Sequence, residues 1–349
     1  MLLSEFDYIL PEELIAQLPK EKRTHSKMMV LNKSSKTVEH RHFFDIVDLL
    51  DKDDVLILNN TKVIPARIFG KKTTGANVEI FLLKEKENKC WEALLKPSKR
   101  INAGTIIKVS DELAIRAHTL IEDGKWLVEL AYKGDIYDVL DKVGNIPLPP
   151  YIERKLSNED LKKLDFERYQ TVFAQNAGSV AAPTAGLHFS LEILEQLKEK
   201  GVQIGYVTLS VGLGTFRPVK CENILEHKMD TETFEITQET ADLINNAKKN
   251  NKKIVAVGTT SVRTLETAFQ NHGCIKACKD NSQLFIYPPY EFMVVDKLIT
   301  NFHLPKSTLL MLTSAFAGKD FVFEAYKKAI ANHYRFYSYG DCMFIHQGA

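Results

Sequence analysis

The sequence has almost no net charge, no long apolar run and few cysteines. Its 46 Lys and Arg residues are balanced by 45 Asp and Glu residues, so an anionic partner must bind a local basic patch. The longest strongly apolar stretch, residues 309–316, contains Thr313 and Ser314 and is far shorter than the ~20 residues of a membrane-spanning helix. Five cysteines, an odd number in 349 residues, argue against a disulfide framework and for a reducing compartment.

The sequence also lacks internal repeats, low-complexity linkers and a basic N-terminal segment. It begins MLLSEFDYIL, with acidic residues where a signal peptide has basic ones. A hydrophobic fraction of 44% and a charged fraction of 26% are typical of folded soluble proteins. The length suffices for roughly two domains of about 150 residues. We therefore predict a soluble, cytoplasmic, two-domain protein without a membrane segment.

The hydrophobic pattern changes twice along the chain. Residues 1–61 mix short helical segments, including a helix predicted at 11–18, with extended segments that include a buried strand at 54–58. Six short alternating segments separated by turn signals then predict a small antiparallel barrel or sandwich. These six segments are residues 63–70, 78–84, 90–96, 105–109, 113–120 and 126–132.

Beyond residue 142, predicted strands alternate with helices. The strands are residues 202–211, 253–257 and 284–287, and the alternation is typical of a mainly parallel sheet covered by helices on both faces. We therefore predict an α/β fold. Residues 1–61 and 143–349 would form one large discontinuous α/β domain, and residues 62–142 an inserted six-stranded antiparallel β-barrel domain.

Three loops of small residues are candidates for a binding crevice. Residues 178–189 contain Thr184, Gly186 and His188; residues 211–218 contain Gly212, Gly214, Thr215 and Arg217; residues 257–263 contain Thr259, Thr260 and Arg263. Small residues let a ligand approach backbone N–H groups closely. The alternative for each loop is a tight turn or a helix cap. All three follow predicted strands, so we expect them to meet at the carboxyl edge of one sheet.

Two histidines lie in polar, small-residue loops. His188 and His303 are candidate proton carriers because the ordinary pKa of histidine is near neutrality; the alternative is that each only bonds its own loop. His272, Cys274 and Cys278 resemble half a zinc site, but no second Cys/His pair with suitable spacing follows. We therefore predict no metal.

Two basic patches are candidates for nucleic-acid binding. Residues 66–105 contain nine Lys and Arg against four acidic residues, and this excess includes Arg67, Lys96, Lys99 and Arg100. The second candidate patch contains Arg168, which is suited to a phosphate contact, and Tyr169, whose ring is suited to stacking on a base. The alternative for the first patch is an ordinary solvated face of the β-domain.

Several long strings resemble one family. They are NNTKVIPAR (59–67), RYQTVFA (168–174), GSVAAPTAGLHF (178–189), VGLGTFRP (211–218), VGTTSVRTLE (257–266), LITNFHLP (298–305) and YRFYSYGD (334–341). Together they resemble the S-adenosylmethionine:tRNA ribosyltransferase-isomerases of queuosine biosynthesis, and the resemblance runs essentially from end to end.

The resemblance implies an enzyme that acts on S-adenosylmethionine and on a tRNA carrying 7-aminomethyl-7-deazaguanine. It implies transfer and isomerisation of the ribosyl moiety, giving epoxyqueuosine-tRNA with release of adenine and methionine. S-Adenosylmethionine is then a consumed co-substrate, so no resident cofactor is expected, and we expect a monomer. An S-adenosylmethionine-dependent tRNA methyltransferase and a non-catalytic tRNA-binding module are the alternatives.

The resemblance also suggests roles for individual residues. We expect His188 and His303 to transfer protons, Arg263 and the amides near Thr259 and Thr260 to hold the methionine carboxylate, and Asp341 to hold its ammonium or a ribose hydroxyl. The expected substrate-binding set is Thr184, Gly186, Gly212, Gly214, Thr215, Arg217, Thr259, Thr260, Arg263, Asn301 and Asp341. The expected tRNA contacts are Arg67, Lys96, Lys99, Arg100, Arg168 and Tyr169.

The sequence departs from the family pattern at three positions. Ser210 and Asp230 stand where the family usually has histidine, and Pro289 stands where it has glycine. We therefore expect that positions 210 and 230 are not indispensable proton carriers, unless Asp230 substitutes for the histidine.

Overall fold

A computed structural model describes residues 1–154, 158–212 and 219–348, without the side chain of Asp123. It contains a nine-stranded sheet with helices and a closed six-stranded barrel. This architecture confirms the predicted fold class. The division at residues 62–142 stays a prediction.

Strands outnumber α-helices in the described parts of the chain. The strands are β1 (Lys27–Asn32), β2 (Thr37–His42), β3 (Asp54–Asn59), β4 (Thr61–Val63), β5 (Arg67–Lys72), β6 (Asn77–Glu85), β7 (Cys90–Lys96), β8 (Ile106–Lys108), β9 (Leu113–Leu120), β10 (Trp126–Tyr132), β11 (Asn176–Ser179), β12 (Gln203–Leu209), β13 (Glu232–Ile236), β14 (Lys253–Val257), β15 (Cys278–Ser282), β16 (Lys297–Asn301) and β17 (Cys342–His346). The α-helices are α1 (Ile46–Leu49), α2 (Ile136–Val143), α3 (Glu159–Arg168), α4 (Leu191–Glu199), α5 (Gln238–Lys249), α6 (Gly258–His272), α7 (Thr308–Ala317) and α8 (Lys319–Ala331). Over the residues that the structure describes, no helix is both long and apolar enough to cross a membrane.

The large sheet is mixed. Its strand order is β15-β13-β12-β3-β14-β16-β17-β1-β2. The four adjacent strands β12, β3, β14 and β16 are parallel to one another, whereas the pairings at both edges are antiparallel. The prediction of a mainly parallel sheet therefore holds for its centre only, because β1 and β2 form a hairpin, β13 is antiparallel to β12, and β15 is antiparallel to β13.

The sheet separates two hydrophobic cores. Every residue of β3 is buried, and successive side chains point to opposite faces. Val55 and Ile57 join the core formed with helices α5 to α8, while Leu56 and Leu58 join the core formed with α4. A strand buried on both faces gives a continuous apolar run, which is the pattern that predicted this strand.

The barrel has its own core. Strands β5 to β10 close in the order β10-β7-β6-β5-β8-β9, and burial alternates along β7. Trp91 and Trp126 lie inside a cluster of barrel side chains that also includes residues of α2. The six predicted strands are all present, since alternation is a local signal.

Other local predictions were wrong. Residues 284–287 form no strand, and the edge strand is the preceding polar segment β15. The helix predicted at 11–18 is only a short 3₁₀ turn at Glu12–Leu14. Strands β2, β13, β16 and β17 were not predicted, because their residues do not alternate cleanly between apolar and polar.

Candidate functional site

A cavity lies at the carboxyl edge of the central parallel strands. Strands β12, β14 and β16 end at Leu209, Val257 and Asn301, and the cavity lies beside these ends. Its walls include residues 182–185, 258–260, 300–304 and 337–338. The carboxyl edge of an open α/β sheet is the usual place for a ligand. We call this space the main cavity.

The loop of residues 178–189 connects the barrel to both faces of the sheet. Val180 packs in the barrel core, Ala181 in one core of the sheet, and Ala185 and Phe189 in the other. The Ser179 hydroxyl accepts a hydrogen bond from the Val211 amide at 2.9 Å. The small, uncharged residues of this loop are therefore explained first by close packing, and Ala182 to Ala185 form one wall of the cavity.

Helix α6 presents its first turn to the cavity. Gly258 has a φ of 83°, which favours glycine, and a Cβ there would lie 3.7 Å from the Ala185 Cβ. Val257 is the residue before the first turn of α6, and among the described residues no side-chain hydrogen bond caps the helix there. Thr259 and Thr260 line the cavity, so the first N–H groups of α6 are suited to an anionic group such as a carboxylate.

His303 lies in the cavity wall with its ring held. Its Nε2 is 2.9 Å from the Thr300 hydroxyl, and its backbone N–H donates to the Tyr326 hydroxyl at 2.9 Å. Burial lowers the pKa of His303 to about 3, so the imidazole is neutral at pH 7. The neighbouring Asn301 donates through Nδ2 to the Tyr337 carbonyl at 2.9 Å, which fixes its side chain in the same wall.

His188 faces a second, narrower pocket. Residues Lys20, Arg23, Arg168, Arg335 and His188 line this space of about 280 Å³, which we call the arginine pocket. Ser338 lines both the arginine pocket and the main cavity, so the two spaces are neighbours. His188 is only 4% exposed.

The ring of His188 is oriented by Ser26. Its Nδ1 lies 2.6 Å from the Ser26 hydroxyl, and that hydroxyl donates to the Arg23 carbonyl at 3.1 Å. The Ser26 hydroxyl can give its proton to that carbonyl or to Nδ1; when it donates to the carbonyl, Nδ1 carries the histidine proton and Nε2 has a free lone pair. Nε2 is buried. Burial lowers the pKa of His188 to about 4, although the Asn301 side chain interacts with the ring and raises its pKa, so the neutral ring can accept a proton.

The two buried histidines predict a pH dependence of stability. The pKa values of His188 and His303 are about 4 and 3 in the folded protein and about 6.5 in an unfolded chain. Because the unfolded chain binds the protons more tightly, the free energy of unfolding should fall as the pH drops from about 6.5 towards 4. These two groups contribute an uptake of up to about two protons on unfolding. Denaturant titrations at several pH values measure this slope.

A single substitution separates the contribution of His303 to this proton uptake from that of His188. The His303→Asn variant should take up about one proton fewer than the wild type over the same pH interval. Equal slopes for the two proteins would contradict the burial of His303 in its neutral form.

Three predicted substrate residues are engaged elsewhere. The Arg263 guanidinium pairs with Glu232 at 2.7 Å, and both side chains are almost completely buried. Asp341 accepts hydrogen bonds from the backbone N–H groups of Lys27 at 2.9 Å and Arg335 at 2.7 Å. Gly186 lies against the Phe173 ring. These contacts are structural, so the predicted binding roles of Arg263, Asp341 and Gly186 are not supported by the geometry.

The remaining substrate predictions divide into two groups. Thr184, Thr259, Thr260 and Asn301 line the main cavity together with His303. The Gly212 amide donates to a Glu232 carboxylate oxygen at 3.3 Å. Gly214, Thr215 and Arg217 lie outside the described residues, and their predicted roles stay predictions.

The predicted nucleic-acid residues also differ in their surroundings. The Tyr169 ring is 0% exposed and packs edge-on against Tyr339 with the centroids 5.8 Å apart, so it has no face for a base. Arg168 lines the arginine pocket. Arg67 pairs with Glu79 at 2.7 Å.

The basic run of the barrel is accessible. Lys96, Lys99 and Arg100 are all exposed, at the end of β7 and in the 3₁₀ turn that follows it. Within the described parts of the chain, none of the three has an ion-pair partner at 4.0 Å or less. They are therefore available to phosphate groups.

Sequence reasoning missed the residues that surround His188. Ser26 and Arg23 are more than 160 positions away from it, and no local pattern indicates such a contact. Arg335 stands inside the string 334–341 that carried the family resemblance, where only Asp341 was singled out.

Comparisons with known proteins agree over the whole chain. Residues 3–345 match the family described as "Queuosine biosynthesis protein". A curated Sulfurihydrogenibium protein named S-adenosylmethionine:tRNA ribosyltransferase-isomerase is 54% identical over 346 residues, covering 99% of this chain and 100% of its own length. A Fusobacterium nucleatum protein of the same name is 49% identical, covering 99% and 97%. The crystal structure of S-adenosylmethionine tRNA ribosyltransferase from Thermotoga maritima is 38% identical, with a TM-score of 0.55, covering 98% and 99%.

Proposed function

The chain belongs to the queuosine biosynthesis protein family, and from that premise we propose that it is an S-adenosylmethionine:tRNA ribosyltransferase-isomerase. It transfers the ribosyl moiety of S-adenosylmethionine to the aminomethyl group of 7-aminomethyl-7-deazaguanine in a tRNA anticodon. The ribose is rearranged to the epoxide of epoxyqueuosine, and adenine and methionine leave. The observation that carries this proposal is the 49–54% identity to curated relatives of that name over 99% of the chain.

The main cavity has the chemistry that a sulfonium substrate requires. Among the described residues, its small and aromatic walls carry no ionised side chain, since His303 is neutral at pH 7. A cavity of this kind excludes water from reactive intermediates. We assign the methionine carboxylate to the N–H groups at Thr259 and Thr260, because the start of α6 favours an anion and Arg263 is already paired with Glu232.

The two histidines supply the proton transfers. Removal of a proton next to the sulfonium requires a base, and we assign this role to His188, whose ring is neutral at pH 7. Departure of adenine is helped by a proton or hydrogen-bond donor, and His303 is placed in the main cavity for that role. The sulfonium itself acts as the electron sink, so the reaction as proposed needs no metal. Activity should therefore persist in the presence of a chelator.

We assign tRNA binding in part to the basic run of the barrel. Replacing Lys96, Lys99 and Arg100 together by Ala should weaken tRNA binding. It should also flatten the slope of log Kd against log salt concentration by roughly 2 to 3, because three phosphate contacts are lost. Binding of S-adenosylmethionine should hardly change, since these residues do not line the main cavity. Titration of both ligands at several salt concentrations measures these effects.

A triple variant in the α/β part provides the control. Lys249, Lys327 and Lys328 are exposed on α5 and α8, so their replacement by Ala removes the same charge elsewhere. An equal change of the salt slope in the two triple variants would show that the barrel patch has no specific role.

One incubation separates the three functional alternatives. The protein is mixed with S-adenosylmethionine and the tRNA that carries the modified base, and the small products are resolved by chromatography. The proposed enzyme releases adenine in proportion to modified tRNA. A methyltransferase would release S-adenosylhomocysteine instead, and a non-catalytic binding module would release neither. Absence of adenine with a folded, tRNA-binding protein would refute the proposal.

Two further expectations stand as predictions. The protein is expected to be a monomer, which light scattering of the purified protein measures. It is also expected to act in the cytoplasm, where its tRNA substrate is available.

A further inference from the structure

The arginine pocket concentrates positive charge in a confined space. Lys20, Arg23, Arg168 and Arg335 line it, and no carboxylate is among the described residues of its wall. Two carboxylates act on these cations from outside the wall: the exposed Glu167 acts on Arg23, and the buried Asp341 has its Oδ1 4.0 Å from the Arg335 Nε. Four cations face these two carboxylates, so the pocket keeps an excess of positive charge.

The three guanidinium groups are fixed by backbone carbonyl groups. Arg23 donates to the carbonyls of Glu167 at 3.0 Å and Leu187 at 3.3 Å. Arg168 donates to those of Lys20 at 2.7 Å and Glu21 at 3.0 Å. Carbonyl groups orient a guanidinium but carry no negative charge. The side chains are therefore preorganised without being neutralised.

Arg335 is held in the same way. It donates to the carbonyls of Leu18 and Tyr339, both at 2.9 Å. The Nε atoms of Arg168 and Arg335 are buried and have no hydrogen-bond partner within the described residues. Buried donors of this kind are costly unless an acceptor binds them. Burial, and after it the neighbouring Arg168, lower the pKa of Arg23 to about 10.

We propose that Lys20, Arg23, Arg168 and Arg335 form a phosphodiester-binding site that holds the RNA backbone beside His188. This proposal rests on the proposed function, because it places the modified nucleotide next to the residue assigned as the base. Arginine forks match the geometry of phosphate oxygens. A phosphodiester is an anion and therefore also fits the positive charge of the pocket.

The probe for this site is an anticodon stem-loop RNA that carries the modified base. Single methylphosphonate groups, which are neutral, replace the phosphates on either side of the modified nucleotide. At the contacted position the replacement should weaken binding to the wild-type protein roughly 10-fold or more. In Lys20→Gln and Arg168→Gln the same replacement should cost clearly less, because one charged partner is already lost. The salt slope should also fall by about 1 in each variant.

Matched variants separate charge from structure. Lys20 is exposed, so its replacement should leave the fold intact even if Arg168→Gln disturbs the carbonyl contacts. Arg168→Lys keeps the charge and should retain most of the salt slope. Lys22 is exposed in the same segment but does not line the pocket, and Lys22→Gln should leave the cost of the methylphosphonate unchanged.

Two results would overturn the proposal. An equal methylphosphonate cost in wild type, Lys20→Gln and Arg168→Gln at both positions would show that these phosphates do not bind in the arginine pocket. A weaker affinity for S-adenosylmethionine with unchanged RNA affinity would assign the pocket to the methionine carboxylate. Binding is measured without turnover, so failure of this site is distinguishable from failure of the proposed function, which appears as absence of adenine release by the wild type.

Discussion

Replacing His188 by Ala should lower kcat by about 10²–10⁴-fold, the usual effect of losing a general acid or base. The structure supports this expectation through the burial of His188 and the resulting low pKa, which keeps the ring neutral and able to accept a proton. The KM for S-adenosylmethionine should change much less, because the proton transfer is an interaction of the transition state. Steady-state kinetics at saturating tRNA measure both constants.

His188→Asn is the matched control for the shape of the site. Asparagine can keep a hydrogen bond to Ser26 but cannot titrate near neutrality, so this variant should be nearly as inactive as His188→Ala. An Asn variant within a few-fold of wild type would rule out proton transfer and leave His188 a role in shaping its loop. Increased KM values with unchanged kcat in both variants would have the same meaning.

The pH profile gives an independent measurement on the same residue. A base must be unprotonated, and burial lowers the pKa of His188 to about 4. The acidic limb of kcat/KM for the wild type should therefore lie near pH 4 and not near the ordinary histidine pKa of about 6.5. The residual activity of His188→Asn should lack that limb.

Replacing Glu266 by Ala should destabilise the protein by about 4–5 kcal/mol, in the exceptional range for one substitution. Glu266 lies on α6 and is 0% exposed. Its carboxylate accepts the backbone N–H groups of Met293, Val294 and Val295 at 3.0–3.1 Å. Removal leaves three donors without their acceptor, at roughly 1–3 kcal/mol for each buried group, and a cavity as well. Urea unfolding monitored by circular dichroism measures the loss.

Two variants test the cause of this destabilisation. Glu266→Gln keeps the volume and one carbonyl oxygen but turns an amide NH₂ towards backbone donors, so it should lie between the wild type and Glu266→Ala. Glu195 is an exposed carboxylate on α4, and Glu195→Ala should change stability by no more than about 0.5 kcal/mol. A loss for Glu266→Ala as small as that for Glu195→Ala would contradict the role of these hydrogen bonds.

The family strings contain residues whose importance is structural. Asn59, at the end of β3, accepts hydrogen bonds from the N–H groups of Thr61 and Leu209 and donates to the Leu209 carbonyl. It therefore joins the ends of β3 and β12 beside the main cavity. The sequence string that contains Asn59 shows only that this residue is part of the family pattern. Its hydrogen bonds in the structure show that it holds two strands together.

The sequence by itself determined the features that depend on neighbouring residues. Alternation located the six barrel strands, the buried run 54–58 located β3, and the order of strands and loops placed the loops that carry Thr184 and Thr259 at one edge of the sheet. These predictions succeeded because side-chain period and strand direction are local properties.

Only the tertiary structure decided which polar residues are available to a ligand. Arg263, Asp341 and Tyr169 have suitable chemistry, but Glu232, backbone N–H groups of distant residues and the Tyr339 ring occupy them. Conversely, folding brings together residues that are far apart in the sequence. Arg23 and Arg335 are separated by more than 300 positions and line one pocket with His188. Whether a charge is neutralised depends on groups within a few ångströms, and chain folding brings those groups from anywhere in the sequence.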